Sequence, residues 1–311
     1  MFPAILTAVC FALTGVCARQ AASLLGAVRA NLFRLLIAVI LLGTVAFSFW
    51  KEMTANNILQ FAIAGGIGFG MGGYCMMQAL RRLGTPQSLL TTESCTAILA
   101  AFLSGVVLKD KLTNHEMISC AVILCGVLYA GSAWINEQVW EIKRSNIHGY
   151  LFAISASFFQ ADSLVISRHA FLEAAKDGLQ INMFHAAFVR LLGGLVIALG
   201  LMLLTNLTKK DKTANTSPAH FPSLYNKNKP LLEQPLLWVS ANALMGPVLG
   251  VTCWLWAVSQ LNPGIVQSIA ATATLISIPA SKLLDPRHLG ARYYIGAPIA
   301  ILGVAALKLW S

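Results

Sequence analysis

Long apolar runs separated by short clusters of charged and turn-forming residues repeat along the whole 311-residue chain. A helix crosses the hydrocarbon of a bilayer with about 20 apolar residues, so runs of that length predict spans. Ten are marked this way: 2–18, 30–50, 57–80, 85–108, 115–135, 148–171, 181–204, 235–258, 263–284 and 291–310. They predict an all-α polytopic membrane protein with ten transmembrane helices. The one long connection, 205–234, is rich in Lys, Asn, Pro and Ser and poor in apolar side chains, which predicts a mobile extramembrane linker. The first run has no basic segment ahead of it, unlike a cleaved signal peptide, and is expected to be a permanent span.

The second half of the chain repeats the first. Ala18-Arg19-Gln20-Ala21 falls on Ser167-Arg168-His169-Ala170 at an offset of 149 residues, and Phe33-Arg34-Leu35-Leu36 falls on Val189-Arg190-Leu191-Leu192 at 156. At 178, Gly68, Gly72, Cys75, Ala79 and Leu83 meet Gly246, Gly250, Cys253, Ala257 and Leu261; at 177, Leu112 and Gly126 meet Leu289 and Gly303. The matches keep their order along the chain, so span 1 is laid on span 6 and span 5 on span 10. The expected organisation is a first five-helix unit, 1–135, a linker, 136–147, and a second five-helix unit, 148–311. An odd number of spans per unit makes the second enter the bilayer from the opposite side. The fold class predicted is therefore two inverted-topology five-helix repeats, an arrangement associated with alternating access.

Composition narrows the classes. Hydrophobic residues make up 57% and charged residues 11%, too oily and too poorly coated for a soluble enzyme or a nucleic-acid binder. The net charge of +10 comes from Lys and Arg scattered in ones and twos between apolar runs, as membrane-flanking charges are, so no nucleic-acid partner is expected. All seven Cys lie inside apolar runs without metal spacing and read as small packing residues. No nucleotide loop, zinc spacing or catalytic triad context occurs, which argues against a primary pump and gives no cofactor to expect.

The arginines at 34 and 190, the segment Thr92-Glu93-Ser94 followed by AILAAFLSGVVL (97–108), and the ends ILCGVL (123–128) and ILGVAAL (301–307) make the chain resemble two EamA-type units of the drug/metabolite transporter superfamily. The resemblance covers nearly everything except 205–234. It departs from the family pattern at Ser94, where a Pro commonly follows the Glu, and at Ala271, where the second half lacks that Glu. It implies a secondary carrier of a small metabolite, with amino acids, nucleotide sugars, purine-type compounds and S-adenosylmethionine-like cations as the substrate classes. A coupling proton or an exchanged metabolite is the implied driving partner, and the cell (inner) membrane the implied location.

Candidate chemistry sits where polar groups interrupt the runs. Glu93 and Asp162 are the two carboxylates inside spans, and an ionisable group there faces a cavity or a partner because hydrocarbon penalises it. Arg34 and Arg190 occupy matching places in spans 2 and 7; each either binds a substrate carboxylate or phosphate or snorkels to the interface. The Gly-rich segments of spans 3 and 8 read as close-packing surfaces, with Tyr74, Gln78, Trp254 and Trp256 as candidates to line a cavity. Span 9 adds a polar stripe of Gln267, Ser268, Thr272, Thr274 and Ser277, with Pro279 as the expected kink. Thr274 is its candidate substrate contact.

The loops joining spans 1–2, 3–4, 5–6, 7–8 and 9–10 carry 14 Lys and Arg against 5 on the other side, which by charge puts both termini outside. The family resemblance implies cytoplasmic termini instead. The function expected is alternating-access transport of a small polar or amphipathic metabolite within the lipid bilayer. A flippase for lipid-linked substrates and a membrane-embedded enzyme are the alternatives.

Overall fold

The computed structural model describes residues 1–48, 53–110, 112–135, 144–210, 234–281 and 291–310. Within them the chain forms ten helical segments: α1 Phe2–Leu25, α2 Ala27–Ser48, α3 Ala55–Leu83, α4 Thr85–Leu108, α5 Asn114–Ile135, α6 Arg144–Lys176, α7 Met183–Lys210, α8 Pro235–Gln260, α9 in two pieces (Pro263–Ala271 and Ala273–Ser281) and α10 Ala291–Trp310. Nine are long and apolar enough to cross a membrane over their described residues; α10 is described at side-chain level only over Arg292–Leu307. Residues 136–143 of the expected linker, 211–233 of the long 205–234 connection, and Leu289 of the repeat lie outside the described residues.

Several helices run past the ends of the apolar runs. α1 continues from 18 to Leu25 and α6 from 171 to Lys176. Hydropathy stops at the first charge, whereas Ala, Leu, Gln, Arg and Lys favour helix whatever surrounds them, so helix ends project into the interface. α1 stops at Gly26 (φ +82°) and α3 at Gly84 (φ +81°), backbone conformations that glycine adopts without strain.

Packing follows the repeat. α5 lies on α10, α2 on α7 and α4 on α9, each against its own counterpart, while α1 packs on α8 and α9 as α6 packs on α3 and α4. These contacts map onto one another when the halves are exchanged, as a two-fold relation between inverted units requires. α3 carries a π-helical stretch over Gly66–Gly72 and α8 one over Leu244–Gly250, at the same 178-residue offset. In α8 the stretch accommodates Pro247, which has no N–H to donate. Carbonyls released by the α3 stretch, those of Phe69 and Gly70, accept from Asn31 Nδ2 at 3.0 and 3.5 Å and so tie α2 to α3.

Pro279 is not where α9 breaks. The carbonyl its missing N–H leaves free, that of Leu275, accepts from the Tyr293 hydroxyl at 3.1 Å, and the helix continues through the proline. The interruption falls at Thr272, where backbone bonds shorten to three-residue spacing (Leu275 N to Thr272 O, 2.9 Å). Thr272 follows Ala271, the position matching Glu93.

Ten helical segments joined end to end leave Phe2 and Trp310 at one end of the bundle, here the terminal face. There Arg168 donates to the last carbonyls of α8, Val258 at 2.8 Å and Ser259 at 2.9 Å, and reaches Asp110 Oδ2 at 3.5 Å; Asn262 Nδ2 donates to the Asp110 carbonyl at 2.7 Å. This cluster ties the α4–α5 loop to the end of α8 and the start of α9, one half to the other. Its mate on the opposite face, Arg19, lies beside Gly84 with no ion pair among the described residues. Arg168→Gln is expected to speed hydrogen exchange of the backbone amides over 255–262 about tenfold and leave the end of α3 unaffected. Unchanged exchange over 255–262 would show that the cluster does not hold that end shut.

Candidate functional site

A cavity runs through the centre of the molecule between α1, α2, α3 and α4 of the first half and α6, α7 and α8 of the second. Its lining comes within about one helical turn of the opposite face, at Leu80 and Leu89, and stops about two turns short of the terminal face, at Arg190 and Trp254. The cavity therefore leans away from the face closed by Arg168 and Asp110.

Two arginines stand in it. Arg190 is 2% exposed and reaches across α3 to α6: Nη1 donates to Ser167 Oγ and to the Ser163 carbonyl (3.2 Å), and Nη2 donates to Ser163 Oγ (2.9 Å). Its guanidinium carbon lies 5.4 Å from the Phe69 ring centroid and 5.1 Å from that of Trp254. Glycines allow this reach, because α3 and α7 touch backbone to backbone at Gly65 and Gly193; a Cβ on either would fall inside the carbonyl of Arg190 or Ala62. Arg34 is 8% exposed and donates its Nε to Asn31 Oδ1 at 2.9 Å. Room for it is made by Gly73, where a Cβ would stand 2.6 Å from Arg34 Nη2. Among the described residues the Arg34 η nitrogens have no protein partner and neither arginine is in an ion pair. Snorkelling does not describe either: both guanidinium groups are enclosed in the protein.

Glu93, 3% exposed, faces the same cavity from α4. Gln267 Nε2 donates to Glu93 Oε2, and Gln267 Oε1 accepts from Trp254 Nε1 at 3.1 Å. The direction of this relay is fixed by chemistry. An indole N–H only donates, so the amide must turn its oxygen to Trp254 and its nitrogen to Glu93. Glu93 Oε1 is then left without a protein partner among the described residues.

Of the residues singled out in the sequence, Arg34, Glu93, Arg190 and Trp254 line the cavity together. Asp162 lies half-buried outside it; the neighbouring Ser163, about 100° further round α6, takes the inward place. Trp256 is 43% exposed and turned away from Trp254 by two helical positions. Tyr74 and Gln78 form a separate ladder on α3, with Gln78 Nε2 donating to Tyr74 Oη at 3.0 Å and Arg82 donating to the Gln78 carbonyl at 3.0 Å beside Phe152. Thr274 is fully buried in the second piece of α9, with its hydroxyl unpartnered and away from the cavity lining. Gln267, read in the sequence only as part of a polar stripe, proves to be the link between Glu93 and Trp254.

Ten helical segments in two exchanged halves around one central cavity, nine of them long and apolar enough to cross a membrane over their described residues, define an all-helical polytopic membrane protein. The sequence matches the EamA-like transporter family over residues 1–131 and 147–309, and the chain belongs to that family. It is similar to the probable purine permease 5 of Arabidopsis thaliana, 21% identical over 255 residues, which cover 77% of this chain and 64% of that protein. The chain thus spans less than two thirds of that relative's length. A solved crystal structure shares the fold, with a TM-score of 0.66 at 13% identity, covering 97% of this chain and 96% of the other.

Proposed function

We propose that the protein is a secondary carrier that moves a small planar purine-type metabolite across the cell (inner) membrane by alternating access. One observation carries this reading: two buried guanidinium groups with no ion pair among the described residues, a buried carboxylate and an indole ring line one cavity. A guanidinium pairs with the oxo and ring-nitrogen acceptors of a purine, a carboxylate accepts from its N–H groups, and an aromatic face covers the ring. An aliphatic side chain has no flat face to set against the indole, as a purine ring has. The purine-permease name of the Arabidopsis relative supports the same class. The proposed moving bodies are the five-helix units 1–135 and 148–311, since exchanging their contacts about the cavity would open it to the terminal face.

Proteoliposomes preloaded with unlabelled hypoxanthine should take up labelled hypoxanthine by saturable counterflow, with adenine competing and leucine or a nucleotide sugar failing to compete. A pH gradient across the same vesicles reads proton coupling against exchange. Flux that rises linearly with concentration would mark a channel, and competition by leucine or the nucleotide sugar alone would overturn the purine reading.

A further inference from the structure

The two halves treat their arginines differently. Around Arg190 both serines and both η nitrogens are engaged: Ser163 Oγ donates to the Ala64 carbonyl at 2.6 Å, Ser167 Oγ donates to the Ser163 carbonyl at 2.7 Å, and both hydroxyls accept from the guanidinium, whose buried Nε alone has no partner among the described residues. The 149-residue offset carries Ser163 onto Thr14 and Ser167 onto Ala18, and the 178-residue offset carries Gly68 onto Gly246 and Ala64 onto Asn242. The helix crossing itself is reproduced. A Cβ on Gly68 would stand 2.8 Å from Ser163 Cβ, and one on Gly246 would stand 2.8 Å from Thr14 Cγ2.

The hydrogen bonds are not reproduced. Among the described residues Thr14 Oγ1 is buried without a partner, and so are both ends of the Asn242 amide, on a residue that is 0% exposed. Among the described residues Arg34 is engaged through its Nε alone. Arg34, Thr14 and Gly246 all line the cavity, and Asn242 lies one turn before Gly246 on α8, its Oδ1 3.5 Å from the place of a Gly246 Cβ. Where the Arg190 side has Ala64, contributed by the first half and needing nothing, the Arg34 side has Asn242, contributed by the second half, a fully buried amide with four unused hydrogen-bonding positions. Such a group is destabilising in the resting fold, and hydrocarbon offers it no water.

We infer that Arg34, Thr14 and Asn242 form a subsite for the electronegative edge of the cargo, the oxo and ring-nitrogen side of a purine-type ring. The inference rests on the purine reading of the cavity. Arg34 donates through its η nitrogens, the Thr14 hydroxyl adds a donor, and the Asn242 amide completes the set by donating to Thr14 or to the cargo. The subsite makes the first-half arginine the receiving one in this conformation, while Arg190 is occupied by its own serines. It also predicts discrimination, because adenine presents an amino donor where hypoxanthine presents an oxo acceptor.

The test compares Thr14→Val and Asn242→Ala, the second placing at 242 the residue found at the matching position 64. Binding of hypoxanthine and of adenine to the purified full-length protein is measured by calorimetry, with Tm recorded alongside. Since neither group has a partner, both variants should keep or raise Tm, yet hypoxanthine should bind at least tenfold more weakly while adenine changes less than threefold. Unchanged hypoxanthine affinity in both variants would sink the subsite while the purine reading stands. A fall in Tm of more than about 3 °C in both, with the two purines weakened equally, would assign these groups to the fold and overturn the inference as well. Failure of the unaltered protein to bind either purine would instead bring down the purine reading, and the subsite with it.

Discussion

Gly65→Ala is expected to lower the melting temperature of the purified protein by roughly 5–10 °C, and Gly193→Ala to do the same, because one methyl group is driven into backbone. α3 and α7 meet with no side chain between them: the new Cβ at 65 would overlap the Arg190 carbonyl, and the one at 193 the Ala62 carbonyl. A flexible side chain could swing aside from such a clash, but a helical carbonyl cannot, so the helices must separate. Overpacking of this kind costs about 1–3 kcal/mol and more where the obstacle is rigid. The same separation lifts Arg190 away from Ser163 and Ser167, so transport should fall with stability. Gly200→Ala is the control on the same helix. Nothing lies within 4 Å of its added Cβ, and alanine is the better helix former, so its Tm should hold or rise. Equal behaviour of all three variants in a thermal-unfolding series would show that the close crossing of α3 and α7 is not what holds them together.

The crossing illustrates what one sequence discloses. Glycine-rich segments 65–73 and 242–250 can be recognised as packing surfaces because small residues are what let membrane helices approach. The 178-residue offset between them reappears in three dimensions as paired π-helical stretches, since both depend on local sequence that the repeat preserves. The repeat also puts Arg34 and Arg190 at equivalent depths, each seven residues into its helix from opposite faces. Local pattern carries no information about rotation of a helix about its axis. Trp254 and Trp256, or Asp162 and Ser163, are equally good candidates in a list, yet adjacent and next-adjacent positions point to different sides, and only tertiary packing decides which is inward.

Pairings across distant sequence are hidden for the same reason. Gln267 and Glu93 are 174 residues apart, and no spacing rule connects a glutamine in one half to a carboxylate in the other. The importance of Thr14 and Asn242 lies in hydrogen bonds they do not make, which only coordinates can display. Pro279 misleads in the opposite direction, because its effect on α9 is cancelled by the hydroxyl of Tyr293 from the next helix.

Glu93→Gln should reduce transport by roughly 30- to 150-fold, the equivalent of about 2–3 kcal/mol for a charge-assisted hydrogen bond, while leaving Tm unchanged or raised. The replacement is isosteric and keeps the relay, because the new amide can turn its oxygen toward Gln267 Nε2, which must remain a donor as long as Trp254 holds Gln267 Oε1. The new NH2 is thereby forced to face the cavity, where the carboxylate offered an acceptor. A donor then meets the donor edge of the cargo, and the loss is one of polarity, not of shape. Stability moves the other way, since a carboxylate enclosed in the protein is costly and its neutral replacement is not. Trp254→Phe separates the two contributions: it keeps a ring in the cavity but frees the Gln267 amide to rotate, so transport should fall less than in Glu93→Gln, and discrimination against N-methylated purines should weaken. Counterflow measured for both variants with hypoxanthine and an N-methylated analogue decides the matter. Normal transport by Glu93→Gln would remove Glu93 from the site, and undiminished discrimination in Trp254→Phe would show that the relay does not orient it.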